Sequence, residues 1–208
     1  MKRLGRICAD NGLLVISDEI HSDITYPGIV HTNFASISEE FASTSITCTS
    51  ASKTFNLAGL QISNIIIPDE KKRSIFSNEV ESCSNVHPNS FAPDAVMVAY
   101  NECEDWLEEF RAYLKGNLDF LKQFVKENIP EVRVIEPEGT YLCWLDFRRV
   151  EQDVKKLERM MLRDAKVALD EGYIFGDGGE GFERINLACP RSILRSALEK
   201  IAEAVKKQ

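Results

Sequence analysis

The sequence has no CxxC pair, no apolar run approaching a membrane span and no excess of basic charge. Each absence closes a class of function. The six cysteines stand far apart, at positions 8, 48, 83, 103, 143 and 189, a spacing that fits neither a metal site nor a compact disulfide framework. No signal-like segment opens the chain, so reduced cysteines and a cytoplasmic setting are expected. Apolar runs stop well short of the roughly 20 residues a spanning helix needs, which argues against a membrane protein. The net charge of −8 is dispersed along the chain and argues against nucleic acid or anionic lipid as a partner. Repeats and low-complexity segments are absent as well. What is present is ordinary for a globular protein: 208 residues, 44% apolar and 28% charged, enough for one or two domains with a substantial core.

Residues 3–11 place Leu4, Ile7 and Cys8 at helical spacing, and Asn11-Gly12 is a stop signal. Leu13-Leu14-Val15-Ile16 reads as a buried parallel strand that ends at Ser17-Asp18-Glu19. Two more β-branched stretches follow, 45–49 and 64–67. From Glu104 to Asn128, apolar residues recur at three- and four-residue steps, predicting one long helix ended by Ile129-Pro130. Beyond it the expected order is a strand at 132–135, a strand at 139–146, a helix over about 152–170, a Gly-rich turn at 176–181, a strand at 184–189 and a helix over 191–206. A domain boundary is expected within the long helix. The chain opens in mid-pattern, and a sheet of three strands buried on both faces would need more neighbours than it supplies, so an N-terminal half of a parent protein is expected to be missing.

Chemistry concentrates at the ends of the first two strands, where open α/β sheets bind ligands. Lys53 lies in Thr49-Ser50-Ala51-Ser52-Lys53-Thr54-Phe55-Asn56, with Asp18 upstream. A lysine among small hydroxyl residues suits condensation with an aldehyde cofactor; hydroxyls can bond a phosphate, and a carboxylate can face a ring nitrogen. Together they point to pyridoxal phosphate. The Gly176–Gly181 segment precedes a strand and opens no helix, so a nucleotide cradle is excluded.

Three ordered motifs carry a resemblance: Ser17-Asp18-Glu19-Ile20-His21-Ser22-Asp23, the lysine run, and Arg184-Ile185-Asn186-Leu187-Ala188-Cys189-Pro190-Arg191. In order and separation they resemble the class I/II aminotransferase superfamily of fold-type I pyridoxal-phosphate enzymes, within it the cystathionine β-lyase (C–S lyase) branch. The likeness covers the whole chain and corresponds to the C-terminal half of a full-length member. It implies an α/β fold: over 1–105 the remainder of a large cofactor-binding domain, a mostly parallel sheet with helices, then over 106–208 a small α+β domain.

By that resemblance Lys53 bonds the cofactor and then serves as general base, and Asp18 pairs with the pyridine nitrogen. Ser50 and Ser52 are candidates for the phosphate, with Ser52 also able to cap the following turn. Arg184 grips the substrate α-carboxylate as a planar partner, while Arg191 starts the last helix. Two departures separate the chain from transaminases. His21 stands where they carry tyrosine, and can hydrogen-bond the ring hydroxyl. Gln61 stands where they carry a phosphate-binding arginine. Glu19 is expected in a supporting or surface role, His31 and His87 as structural, and Tyr26 either at the site or capping a turn. A homodimer in the full-length form and a small amino-acid substrate are implied. The function expected is β-elimination from a sulfur-bearing L-amino acid to thiol, pyruvate and ammonia. The alternatives are an aminotransferase working with a 2-oxo acid, or an inactive or regulatory fragment.

Overall fold

The computed structural model describes residues 1–83 and 88–207. His87, expected as structural, lies outside the described residues. By contact, the chain divides into two compact units, Met1–Glu108 and Glu109–Gln208.

The first unit opens with helix α1 (Lys2–Asp10), which Gly12 ends at φ 63°, a conformation that costs glycine little. Strand β1 (Val15–Asp18) follows, then α2 (Glu39–Ser43), capped by the Ser38 hydroxyl accepting from Phe41 N–H. Gly5 of α1 lies so close to the Phe41 ring that a Cβ would stand 2.3 Å from it, so only glycine lets the two helices meet. Strand β2 (Ser45–Thr49) leads into the short α3 (Ala51–Thr54), then β3 (Asn64–Ile66), α4 (Glu70–Cys83) and α5 (Ala92–Glu102), with Pro93 in its first turn. The sheet runs β1-β2-β3. β1 and β2 are parallel, with Asp18 opposite Cys48, and β3 is antiparallel to β2. Two helical pieces, absent from the sequence reading, cover it: α2 and a 3-10 turn at Phe34–Ser36, whose rings Phe34 and Phe41 stack at 5.3 Å.

The expectation of a strand buried on both faces is not met in this chain. Ile16 is 68% exposed and β3 is exposed throughout. Leu13 and Leu14, placed in the strand by their apolar run, precede it and are exposed. The packed face of β2 carries Ser45 and Thr47, against the Phe34 and Phe41 layer, while the opposite face has no covering layer among the described residues.

The long helix α6 (Glu104–Asn128) has the bounds the periodicity predicts. In the second unit its buried stripe, Leu114, Leu118, Leu121 and Val125, packs with β4 (Arg133–Ile135), β5 (Leu142–Asp146), α7 (Val154–Arg159), β6 (Asp170–Glu171), β7 (Phe182–Asn186) and α8 (Arg191–Val205) around one core. The antiparallel sheet runs β4-β5-β7-β6. Its inner face gives Cys143, Leu145, Ile185 and Leu187, and α8 adds Leu194, Leu198 and Ile201, all nearly inaccessible. The helix expected over 152–170 is shorter. Asp153 caps α7, a π-helical turn spans Met160–Ala165, and Lys166 at φ 54° ends it, freeing Asp170 and Glu171 for an edge strand.

Candidate active site

In the first unit the polar motifs sit where the strand pattern puts them. Asp18 is the last residue of β1, and β2 hands the chain through Ser50 to the turn of α3 that bears Lys53. One Asp18 oxygen accepts from Ile20 N–H at 3.3 Å, and the carboxylate is exposed. Lys53 is half-buried, and its amine has no hydrogen bond or ion pair among the described residues.

The two serines divide the work differently from the sequence expectation of a Ser52 cap. Ser50 is the cap: its buried hydroxyl accepts from Ser52 N–H at 3.1 Å and donates to the Ile62 carbonyl at 2.7 Å. The Ser52 hydroxyl has no such engagement among the described residues. His21 is half-buried, and its carbonyl accepts from Ile24 N–H in the turn after β1. Gln61 is exposed at φ 53° at the end of a 3-10 turn. Tyr26 is buried and opens a turn through Pro27 and Gly28 (φ 86°) to Ile29 N–H, the form that asks for glycine at its third position.

Two residues had more to do than the sequence reading assigned. Glu19 is buried, not at the surface, and its carboxylate gathers Ser17 Oγ at 2.8 Å, His31 Nε2 at 3.0 Å, Phe34 N–H at 3.0 Å and the Asn33 amide. Burial pushes its carboxyl up, but these bonds, led by Phe34 N–H, outweigh it and hold the group below the usual value. His31 therefore has a partner twelve residues away that no local pattern reveals. Asp23 ties the two motifs together: the hydroxyl of Thr54, next to Lys53, donates to Asp23 Oδ2 at 2.8 Å, and Tyr100 donates to the same oxygen at 3.5 Å. Burial, then the Asp23 charge, push the Tyr100 phenol up to about 12, so it stays a donor. Both Asp23 and Thr54 stood inside the motifs; only their contact was hidden.

In the second unit Arg184 lies on β7, opposite Trp144 of β5 and Asp170 of β6; Ile135 of β4 faces Trp144. Since side chains alternate along a strand, these four form one row across the sheet face away from the core. Arg184 Nε and Nη2 donate to Asp170 Oδ2 at 3.1 and 2.7 Å, and the guanidinium lies 4.4 Å from the Phe175 ring centroid and 5.9 Å from that of Trp144. The side chain is about a quarter exposed. Arg191 opens α8, as expected: its N–H donates to Tyr113 Oη at 2.8 Å and its guanidinium to buried Asn117. Next to Arg184, Glu183 points into the core and is 1% exposed, with Oε2 unpartnered. Burial, then the charges of Glu171, Glu158 and Asp170, raise its carboxyl to about 7.

The model of the family described as aminotransferase class I and II matches residues 1–201. The chain belongs to that family. Its α/β fold is that of the aminotransferase class I and II structures. One of them, cystalysin from Treponema denticola, which contains pyridoxal 5'-phosphate, is 41% identical with a TM-score of 0.96, over 99% of this chain and 52% of that one. Among curated relatives in the family, cystathionine beta-lyase PatB of Bacillus subtilis is 41% identical over 203 residues, 98% of this chain and 52% of its own length. Protein MalY of Escherichia coli is 32% identical over 202 residues, 96% of this chain and 51% of its own. The chain thus spans about half the length of the curated relatives it matches.

Proposed function

We propose that this chain carries the lysine-bearing half of a pyridoxal-phosphate-dependent C–S β-lyase, acting on L-amino acids with a sulfur leaving group on Cβ. The observation that carries the reading is the pairing of parallel strands β1 and β2. It puts an exposed carboxylate and a half-buried lysine amine, without a partner among the described residues, at the carboxyl ends of neighbouring strands. Those donors fit the cofactor: an amine for its aldehyde, a carboxylate for its ring nitrogen, and the Ser52 hydroxyl free for phosphate. Ser50 can reach phosphate only by giving up the Ile62 carbonyl.

When bound, the cofactor supplies a sink for the electron pair left at the substrate Cα. The chain's residues do the rest. Lys53 takes the Cα proton on its amine, its turn held in place by the Thr54–Asp23 bond one residue away. Asp18 would hold the ring nitrogen of the cofactor, and His21 would hydrogen-bond its ring hydroxyl. Arg184 receives the substrate α-carboxylate. Loss of the thiolate from Cβ and addition of water give thiol, pyruvate and ammonia. We assign residues 1–105 to the large cofactor-binding domain and 106–208 to the small domain, and the full-length protein to a homodimer.

His21 and Gln61 favour the lyase over an aminotransferase, as does the likeness to cystathionine beta-lyase PatB and to the Staphylococcus hominis C-S lyase, 32% identical at a TM-score of 0.86. The deciding experiment adds pyridoxal phosphate to the chain, reduces with borohydride and maps the adduct by mass spectrometry. Labelling confined to Lys53, absent from Lys53→Ala, is expected. Scattered labelling would sink the assignment. With the full-length protein, pyruvate released from cystathionine without a 2-oxo acid marks the lyase; a strict need for the oxo acid marks the aminotransferase.

A further inference from the structure

Strand β6 is two residues long, lies at the edge of the antiparallel sheet and pairs with β7. It makes one cross-strand pair on each face of that sheet. On the outer face Asp170 stands opposite Arg184 and accepts two of its hydrogen bonds. On the core face Glu171 stands opposite Glu183, a spacing of about 4.5–5.5 Å between Cβ atoms. Glu183 is 1% exposed, and its Oε2 has no hydrogen-bond partner among the described residues. Glu171 and Asp170 from β6 and Glu158 from α7 all repel its ionised form. Lys155 of α7 is engaged by Glu158 at 2.8 Å and lies over the Tyr173 ring. The two ends of β6 are held unequally. Gly172, next to Glu171, packs so closely on the Gly179 and Phe182 carbonyl oxygens that a Cβ would collide with them, whereas residues 166–169 form no regular element.

We propose that β6 is a proton-operated latch on Arg184: while Glu183 holds a proton the strand stays paired and Asp170 occupies the guanidinium, and when Glu183 ionises the strand swings off β7 about Gly172 and releases it. An ionised Glu183 is a buried charge without a partner, opposite a like charge, and both conditions are costly. β7 cannot yield, because β5 pairs with it along Leu142–Asp146. β6 can, because an exposed ion pair holds its outer face, and such pairs contribute little. Burial, then the three carboxylates, raise the Glu183 carboxyl to about 7, so the latch is closed in mildly acidic solution and opens as pH rises through neutrality. The bearing on catalysis rests on the role proposed for Arg184, since an open latch leaves the guanidinium to the substrate carboxylate.

The test follows the Glu183 carboxyl carbon and the Arg184 Nε–H by NMR in the isotope-labelled 208-residue chain, from about pH 5 to about pH 8. Glu183 should titrate near neutrality. Hydrogen exchange at Arg184 Nε, corrected for its intrinsic pH dependence, should quicken about tenfold with the same midpoint. Glu183→Gln should keep that exchange slow throughout, and Asp170→Ala should make it fast throughout while Glu183 still titrates. If Glu183 ionises and Arg184 exchange does not follow, water has solvated the charge in place and the latch is overturned. A step that survives Glu183→Gln, or a Glu183 that titrates as an ordinary carboxyl, overturns it too. None of these readouts involves a ligand, so the role of Arg184 is tested apart from them, by calorimetry of L-alanine binding to the full-length protein. Binding that Arg184→Gln leaves unchanged would sink that role and spare the latch. Binding that Arg184→Gln abolishes should tighten about threefold from about pH 6 to about pH 8, and not in Glu183→Gln.

Discussion

Asp170 holds one edge of the guanidinium that the substrate carboxylate is proposed to use. With Asp170 half exposed, the pair contributes little, about 0–1 kcal/mol, and is easily exchanged. Asp170→Asn removes the competing charge, so binding of an L-amino acid should tighten about two- to fivefold in a calorimetric titration. Weaker binding would mean that Asp170 orients Arg184. Glu183 shows what a period-two reading can detect and what it cannot. It shares phase with Ile185 and Leu187, so its place on the core face was legible; the three carboxylates around it, Glu171 and Asp170 from β6 and Glu158 from α7, were not. Lys155 bonds Glu158 at 2.8 Å, and no ion pair to Glu183 occurs among the described residues. Because the folded carboxyl is raised to about 7 from 4.5, the folded chain keeps a proton that the unfolded chain has lost. This contribution to stability is therefore present below about 4.5 and lost as pH rises through about 7. Urea midpoints should fall over that window. Glu183→Gln should flatten the fall and stabilise the protein at about pH 8 by on the order of 2 kcal/mol; an unchanged pH profile would exclude Glu183 as its cause.

Among the elements, those with a strong internal period were legible. α6 was readable to its ends because its apolar residues repeat without a break and Ile129-Pro130 stops it. α7 was overextended because Lys166, a good helix former, ends it in a left-handed conformation that no propensity announces. Asn117 falls on the buried stripe of α6, where periodicity expects an apolar side chain. Its amide donates to the Leu187 carbonyl at 2.8 Å and the Cys189 carbonyl at 3.0 Å, and its oxygen accepts from Arg191. It thereby joins α6 to the end of β7 and the start of α8. Asn117→Ala strips those groups of partners in a buried site and should cost about 2–4 kcal/mol in urea unfolding. A loss under about 1 kcal/mol would mean water replaces the amide.

Over the whole molecule the two units differ in how much of their apolar surface they bury. The second encloses its sheet face between α6 and α8, whereas in the first Leu13, Leu14, Ile16 and Ile66 stay at least half exposed. Stability in a protein follows such local burial. Hydrogen exchange of this chain should be slowest in β5, β7 and α8 and fastest in β1 and β3, with the dye ANS binding appreciably. Equal protection of the two sheets would contradict that ranking. Among the described residues no helix is long and apolar enough to cross a membrane.

The sequence by itself determined the family, the order of the strongly periodic elements and the chemistry available, because motif residues and periodicity are local properties of the chain; α4, α5 and the edge strand β6 carried no such signal. Lys53, Asp18 and Arg184 stood out as candidates from their sequence neighbours alone. Only the tertiary structure decided the contacts: Glu19 with His31, Thr54 with Asp23, Arg184 with Asp170 and the rings beside it. Each joins residues far apart in the chain, and such pairs are chosen by strand register and packing rather than by any short stretch of sequence.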